Sequence, residues 1–176
     1  MGKYNTHALA LELALRAVPM LRVLELGQGR YSTPLLMQRC QERGLVSVEN
    51  NPKYYRPSAG AWMQTRLVRE WEEMWPWVLA CGSYGVALVD HAPALRRVVD
   101  LARLRDHVWL MVVHDTESAE YGYAGIREQW RWRWDDRGRR PWTGLWTNRE
   151  GVAAAVGLAA IASGLTLTRE QGQGQG

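Results

Sequence analysis

The sequence predicts an α/β protein, a three-layer sandwich with helices on both faces of a largely parallel sheet. Short apolar runs alternate with amphipathic segments at least five times along the chain, the signature of strand–helix–strand units. Two of those runs, 85–90 (GVALVD) and 107–113 (HVWLMVV), are apolar nearly throughout, as strands covered on both faces must be. At 176 residues the chain is one domain's worth, read as 1–170, with a Gln-Gly tail over 171–176 that has nothing apolar to bury and is expected to be disordered.

The elements follow in order. Apolar positions at helical spacing over 6–18 end at Pro19. A strand over 22–26 leads into Gly27-Gln28-Gly29. Thr33 is placed as N-cap with Pro34 at the first helical position, for a helix over 34–43 that stops at Gly44. Strands are expected at 45–49 and 65–68, joined by a polar, proline-containing connection. A tryptophan-rich segment separates the third strand from GVALVD, and a helix over 94–104 joins that strand to HVWLMVV. A helix over 117–129, an antiparallel hairpin made by RWRWDD and WTGLWTN, and a small-residue helix over 150–163 complete the chain.

Composition excludes some classes of protein. Apolar residues make up 47% and charged residues 23%, as in ordinary globular domains. No apolar run of about 18 residues is present, so no membrane span is expected. The amphipathic N-terminal segment, carrying His7, Glu12 and Arg16, is unlike a secretory signal. Cys40 and Cys81 show no pairing pattern, which fits a reducing cytoplasm. Of the 22 basic residues only Lys3 and Lys53 are lysines, and phenylalanine is absent. That skew fits a GC-rich genome, so the net charge of +4 is weak support for nucleic-acid binding.

The chemistry-bearing residues collect where the strands end. Glycines in the first strand-to-helix turn let a ligand approach the backbone, and the helix N-terminus offers N–H groups. A dinucleotide fingerprint would need a third glycine where Ser32 stands. The second strand ends in Glu49-Asn50, about 20 residues after the loop, the place of an acid that grips ribose hydroxyls. The two buried strands end in Asp90-His91 and His114-Asp115. Neighbouring parallel strands would deliver these four residues to one crevice.

The run Glu25-Leu26-Gly27-Gln28-Gly29, followed by Ser32-Thr33, resembles motif I of class I S-adenosylmethionine-dependent methyltransferases. The resemblance implies a Rossmann-like, mostly parallel seven-stranded sheet with an antiparallel edge hairpin. It also implies S-adenosylmethionine as cofactor: Gly27, Gly29, Ser32 and Thr33 wrap its methionine part, with Glu25 near the ammonium. Glu49 holds the ribose, with Asn50 beside the adenosine, and Glu70 and Trp71 stand at the adenine. Asp90, His91, His114 and Asp115 are the catalytic candidates. Their placement resembles that in catechol-type O-methyltransferases, which implies a divalent cation such as Mg²⁺ on Asp90 and Asp115. Thr116 stands where that group has an amide, and a metal-free route would use His91 or His114 as base.

The implied function is O-methylation of a small-molecule or glycan hydroxyl. Three readings stay open beside it: a nucleic-acid methyltransferase, a non-catalytic module of the same fold, and an NAD enzyme. The amino-methylating signature is absent and no lysine lies at a strand end, so nucleic acid is not favoured as a partner. A homodimer is an open arrangement.

Overall fold

A computed structural model describes residues 7–170; the expectation for the 171–176 tail lies outside them. One eight-stranded sheet runs through the molecule in the order β3-β2-β1-β4-β5-β7-β6-β8. Strands β1 (Val23–Leu26), β2 (Leu45–Glu49), β3 (Met63–Leu67), β4 (Tyr84–Val89) and β5 (Val108–His114) are mutually parallel. β6 (Trp132–Asp136) and β7 (Thr143–Thr147) form the expected hairpin, with β7 antiparallel to β5. The sheet exceeds the expected seven strands because Thr168–Arg169 (β8) pairs with β6 at the edge.

Strand parity sorts the core into two layers. Leu24, Leu26, Val46, Val48, Ala87 and Val89 face one side, under α3 (Trp75–Ala80), α4 (Arg96–Leu104) and α5 (Ala124–Arg127). Val23, Leu45, Val86, Leu88, Leu110 and Val112 face the other, under α1 (Ala8–Ala17), α2 (Ser32–Arg39) and α6 (Glu150–Ser163). The first layer is weighted with rings. Trp146 is fully buried, with its ring centroid 5.7 Å from Tyr123 and 6.3 Å from Trp130.

Three local expectations are corrected. Helix α2 starts at Ser32 instead of Pro34, and Thr33 is not its cap, because its hydroxyl is turned inward to Glu25. Pro34 still falls in the first turn, where no N–H is needed. The same helix stops at Arg39, short of the expected end. The helix expected over 117–129 is a 3₁₀ turn at Ala119–Tyr121 followed by the short α5, since Gly122 takes φ +66° between them and reverses the chain.

Truncating Trp146 to alanine empties the centre of the aromatic layer, and a loss of ~3–5 kcal/mol is expected, read as a lowered urea midpoint with an unchanged slope.

Candidate functional site

The parallel strands β1, β2, β4 and β5 bring their carboxyl ends to one rim, where open α/β sheets bind ligands. A cleft of about 650 Å³ opens there, bordered by the Gly27-Gln28-Gly29 loop, Glu49-Asn50, Asp90 and His114, with His7 from the start of α1 and Pro141 from the hairpin. That volume suits a cofactor-sized ligand.

The loop's first glycine is required by the protein itself. Gly27 takes φ +91°, and a Cβ there would lie 2.6 Å from the carbonyl oxygen of Asp90. Loop and β4 end therefore pack backbone against backbone, which only glycine permits.

Glu25 shares strand parity with Val23, so its side chain points beneath α2 and away from the cleft. It is fully buried and accepts hydrogen bonds from the hydroxyls of Ser32 (2.9 Å), Thr33 (2.9 Å) and Ser47 (2.7 Å). Burial pushes its pKa up to about 7, against the opposing effect of those hydroxyls. An ammonium partner is thus not what the structure makes of Glu25, and Ser32 and Thr33 serve the same internal knot instead of lining the cleft.

Glu49 does border the cleft. Its Oε2 accepts the backbone N–H of Gln28 at 2.7 Å, and its Oε1 accepts those of Asn50 at 2.8 Å and Asn51 at 2.7 Å. The carboxylate clamps the glycine loop to the end of β2, and Oε2 retains acceptor capacity for a ligand hydroxyl. Glu70 is exposed and outside the cleft. Trp71 is buried, donates from Nε1 to the Ala92 carbonyl at 2.7 Å and packs on His91 with ring centroids 4.3 Å apart. Neither residue borders the cleft.

At the other end, Asp90, His114 and Asp115 converge as expected, and Asp90, His114 and His91 border the cleft, whereas Asp115 does not border it and His91 does not join the ion-pair cluster. Its ring is sealed under α4, 2.7 Å from the Asp100 carboxylate, and burial lowers its pKa although Asp100 opposes this. The converging acids meet a residue that sequence reasoning missed, the buried guanidinium of Arg97. It lies 3.0 Å from Asp90 Oδ1 and 3.0 Å from Asp115 Oδ2, and also donates to the carbonyls of His91 and His114. Asp115 reaches back to this cluster because its backbone adopts φ +60°, a conformation that aspartate tolerates.

His114 Nδ1 lies 3.2 Å from Asp90 Oδ1 and 3.3 Å from Asp115 Oδ1. Burial alone would lower the histidine's pKa, but the two acids push it up to about 9. Burial likewise works to raise both acids, yet His114 and Arg97 hold them below the usual carboxylate range. His114 is therefore an imidazolium at neutral pH, and neither it nor the sealed His91 is the free base that the metal-free route required.

The two-acid Mg²⁺ site does not fit either. Three of the four carboxylate oxygens are held by cationic donors, and Thr116 turns its hydroxyl to Asp135 at 2.8 Å. The S-adenosylmethionine site fits at its adenosine end, through Glu49, Asn50 and the open loop, while the expected ammonium partner is sealed beneath α2. His7 is the other residue that sequence reasoning passed over as part of a helix face. A histidine heading an apolar helix was the available signal.

The fold these elements make is that of class I S-adenosylmethionine-dependent methyltransferases, with five parallel strands, a reversed hairpin strand beside β5 and the glycine loop after β1. Human methyltransferase-like protein 13, solved in complex with SAH, superposes with a TM-score of 0.61 over 89% of this chain and 92% of that one, at 15% identity. An O-methyltransferase-like protein from Klebsiella pneumoniae gives 0.61 over 85% and 82%, at 17% identity. MycE of the mycinamycin biosynthetic pathway, solved with Mg, SAH and mycinamycin VI, gives 0.53 over 70% of this chain and 38% of that larger one, at 17% identity. No protein-family model and no curated protein matches the sequence.

Two outcomes test this geometry. Glu25 has a folded pKa raised from 4.5 to about 7, so its carboxyl favours folding most below the unfolded value, and that advantage is lost as pH rises through 7. Between those limits the unmodified chain should lose on the order of 3 kcal/mol relative to Glu25→Gln, measured as the difference between their urea stabilities across pH. Arg97→Met removes the shared cation of two buried acids and should cost ~3–5 kcal/mol, read by the same method at neutral pH.

Proposed function

We propose that the chain is an S-adenosylmethionine-dependent methyltransferase that methylates a hydroxyl of a small molecule or glycan. The observation that carries this reading is the cleft itself: in this fold, a cofactor-sized opening lies between the glycine loop and the acid ending β2. Bound there, S-adenosylmethionine supplies a methyl group carried on a positively charged sulfur.

The chain's own residues supply binding and orientation. Glu49 Oε2 receives a ribose hydroxyl, and Asn50 borders the adenosine. Gly27 keeps the loop folded against the end of β4 and so shapes the cleft floor. His7, Asp90, His114 and Pro141 surround the other end, where the acceptor enters.

A small acceptor is favoured over a nucleic acid by the state of the arginine- and tryptophan-rich hairpin. Single-stranded nucleic acids need open aromatic faces to stack on. Here Arg131 covers Trp132 at 4.5 Å, and Arg137 and Arg140 lie over Trp142 at 4.6 and 5.7 Å. The arginines are spent on the hairpin's own rings.

Calorimetry with S-adenosylhomocysteine tests the reading. The full chain should bind it and should not bind NAD, and Glu49→Ala should weaken the binding by ~1–3 kcal/mol through loss of a charged acceptor. Binding of NAD without response to S-adenosylhomocysteine would overturn the proposal, and an unchanged affinity in Glu49→Ala would remove Glu49 from the ribose.

A further inference from the structure

Most of the described arginines are engaged within the protein. Arg96 and Arg103 pair with Glu72, Arg22 and Arg43 donate to main-chain carbonyls, and Arg131 and Arg149 lie over tryptophan rings. Among the described residues, no hydrogen bond, ion pair or ring contact engages the side chains of Arg30, Lys53 and Arg56. All three line one opening of about 240 Å³. No acid among the described residues lines it, and Tyr54, 42% exposed, adds a phenol hydroxyl that also has no partner. Gly29, Arg30 and Tyr54 border the larger cleft as well, so the two spaces share a wall.

The fold brings these cations together from two segments. Arg30 follows the glycine loop, and Lys53 and Arg56 stand on the connection between β2 and β3. Gln28 ties the segments to each other. Its Oε1 accepts the Arg56 N–H, and its Nε2 donates to the Arg56 carbonyl at 3.3 Å and to Ser47 Oγ at 2.9 Å. Asn51 Oδ1 accepts the Lys53 N–H at 3.0 Å, and the Tyr55 hydroxyl lies 3.1 Å from Thr65 Oγ1 on β3. A backbone so pinned keeps three like charges on one opening, where they repel one another until an anion enters.

We infer that this opening binds the phosphate or diphosphate group of a small molecule. The donor set selects the anion. The planar fork of arginine matches phosphate oxygens two at a time, and lysine adds a point charge. A single carboxylate, with two oxygens and one charge, would use only part of this set. Three cations around one small opening suit a compact anion, whereas a nucleic-acid strand needs cations tracking along a groove beside open rings. The site stands whether or not methyl transfer is the function. On the methyl-transfer reading, the shared wall makes the ligand a phosphorylated acceptor long enough to reach from Arg30 to the β4–β5 end.

The test titrates the full chain with pyrophosphate by calorimetry at low ionic strength, with sulfate and a short single-stranded oligonucleotide as separate arms. One pyrophosphate per chain is expected, bound more tightly than sulfate and more weakly as salt rises. Arg30→Ala, Lys53→Ala and Arg56→Ala combined should lower the affinity about 100-fold or more while keeping a folded circular-dichroism spectrum. Arg69→Ala removes an exposed cation outside the opening and should leave pyrophosphate binding unchanged. A crystal structure of the unmodified chain with pyrophosphate depends on no variant, and should place the anion against at least two of the three cations. Absence of pyrophosphate binding, an anion bound elsewhere, or an equal loss in Arg69→Ala overturns the inference. So does an oligonucleotide that binds more tightly than pyrophosphate through the same three residues. S-adenosylhomocysteine affinity should be the same in the triple variant; its loss there would assign the cations to the cofactor's carboxylate and overturn the phosphate site. S-adenosylhomocysteine binding by the unmodified chain reports on the methyltransferase reading alone, so the two can fail independently.

Discussion

One buried guanidinium sets the shape of the site. Arg97 stands on the first turn of α4 and reaches across the ends of two neighbouring strands, binding the carboxylates of Asp90 and Asp115 and the carbonyls of His91 and His114. Its ring neighbour Tyr121 lies 4.5 Å away. A charge so enclosed is tolerated only when its partners are complete. Those contacts fix the β4 and β5 ends relative to each other, and the packing of Gly27 against Asp90 carries that constraint on to the glycine loop. The protonation of His114 comes from the two acids themselves. His114 and, after it, Arg97 hold the two acids ionised, and between them the acids retain the imidazole's proton.

Much of the fold was legible because periodicity encodes it. The uninterrupted apolar runs at GVALVD and HVWLMVV gave two central parallel strands, and the RWRWDD–WTGLWTN pair gave the antiparallel hairpin. Ends of elements were less legible. Thr33 has the chemistry of a cap, but a buried carboxylate beneath the helix competes for its hydroxyl and wins. β8 is only two residues long, so no alternating pattern announces it.

The site was legible by position more than by direction. Strand ends told where Glu49, Asp90, His114 and Asp115 would gather. They did not tell which way each side chain points, although parity contains part of the answer. Glu25 lies two residues from Val23 and so faces the helix layer over that side of the sheet, along with Ser47, which is two residues from Leu45. His91 lies two residues past the end of β4, beyond any strand parity, and Asp100 on α4 draws its ring away. Trp71 is held by the Ala92 carbonyl in the same way. Arg97 and His7 were invisible for a common reason: each serves the site from a helix, where arginine on a polar face and histidine in an apolar one are unremarkable in sequence.

These directions leave the cleft with an uneven charge distribution. At the β4–β5 end, two carboxylates are matched by one guanidinium and one imidazolium, so that end is close to neutral despite its acids. At the other end Glu49 accepts from three backbone N–H groups, which leave its negative charge formally intact. At the β4–β5 end, the two buried ring nitrogens of His7 have no hydrogen-bond partner among the described residues. Glu25, the acid that the glycine loop seemed to offer, is removed from this distribution altogether. With its pKa near 7 it is partly protonated at neutral pH, and it acts as the hydrogen-bonded keystone joining β1, β2 and the start of α2.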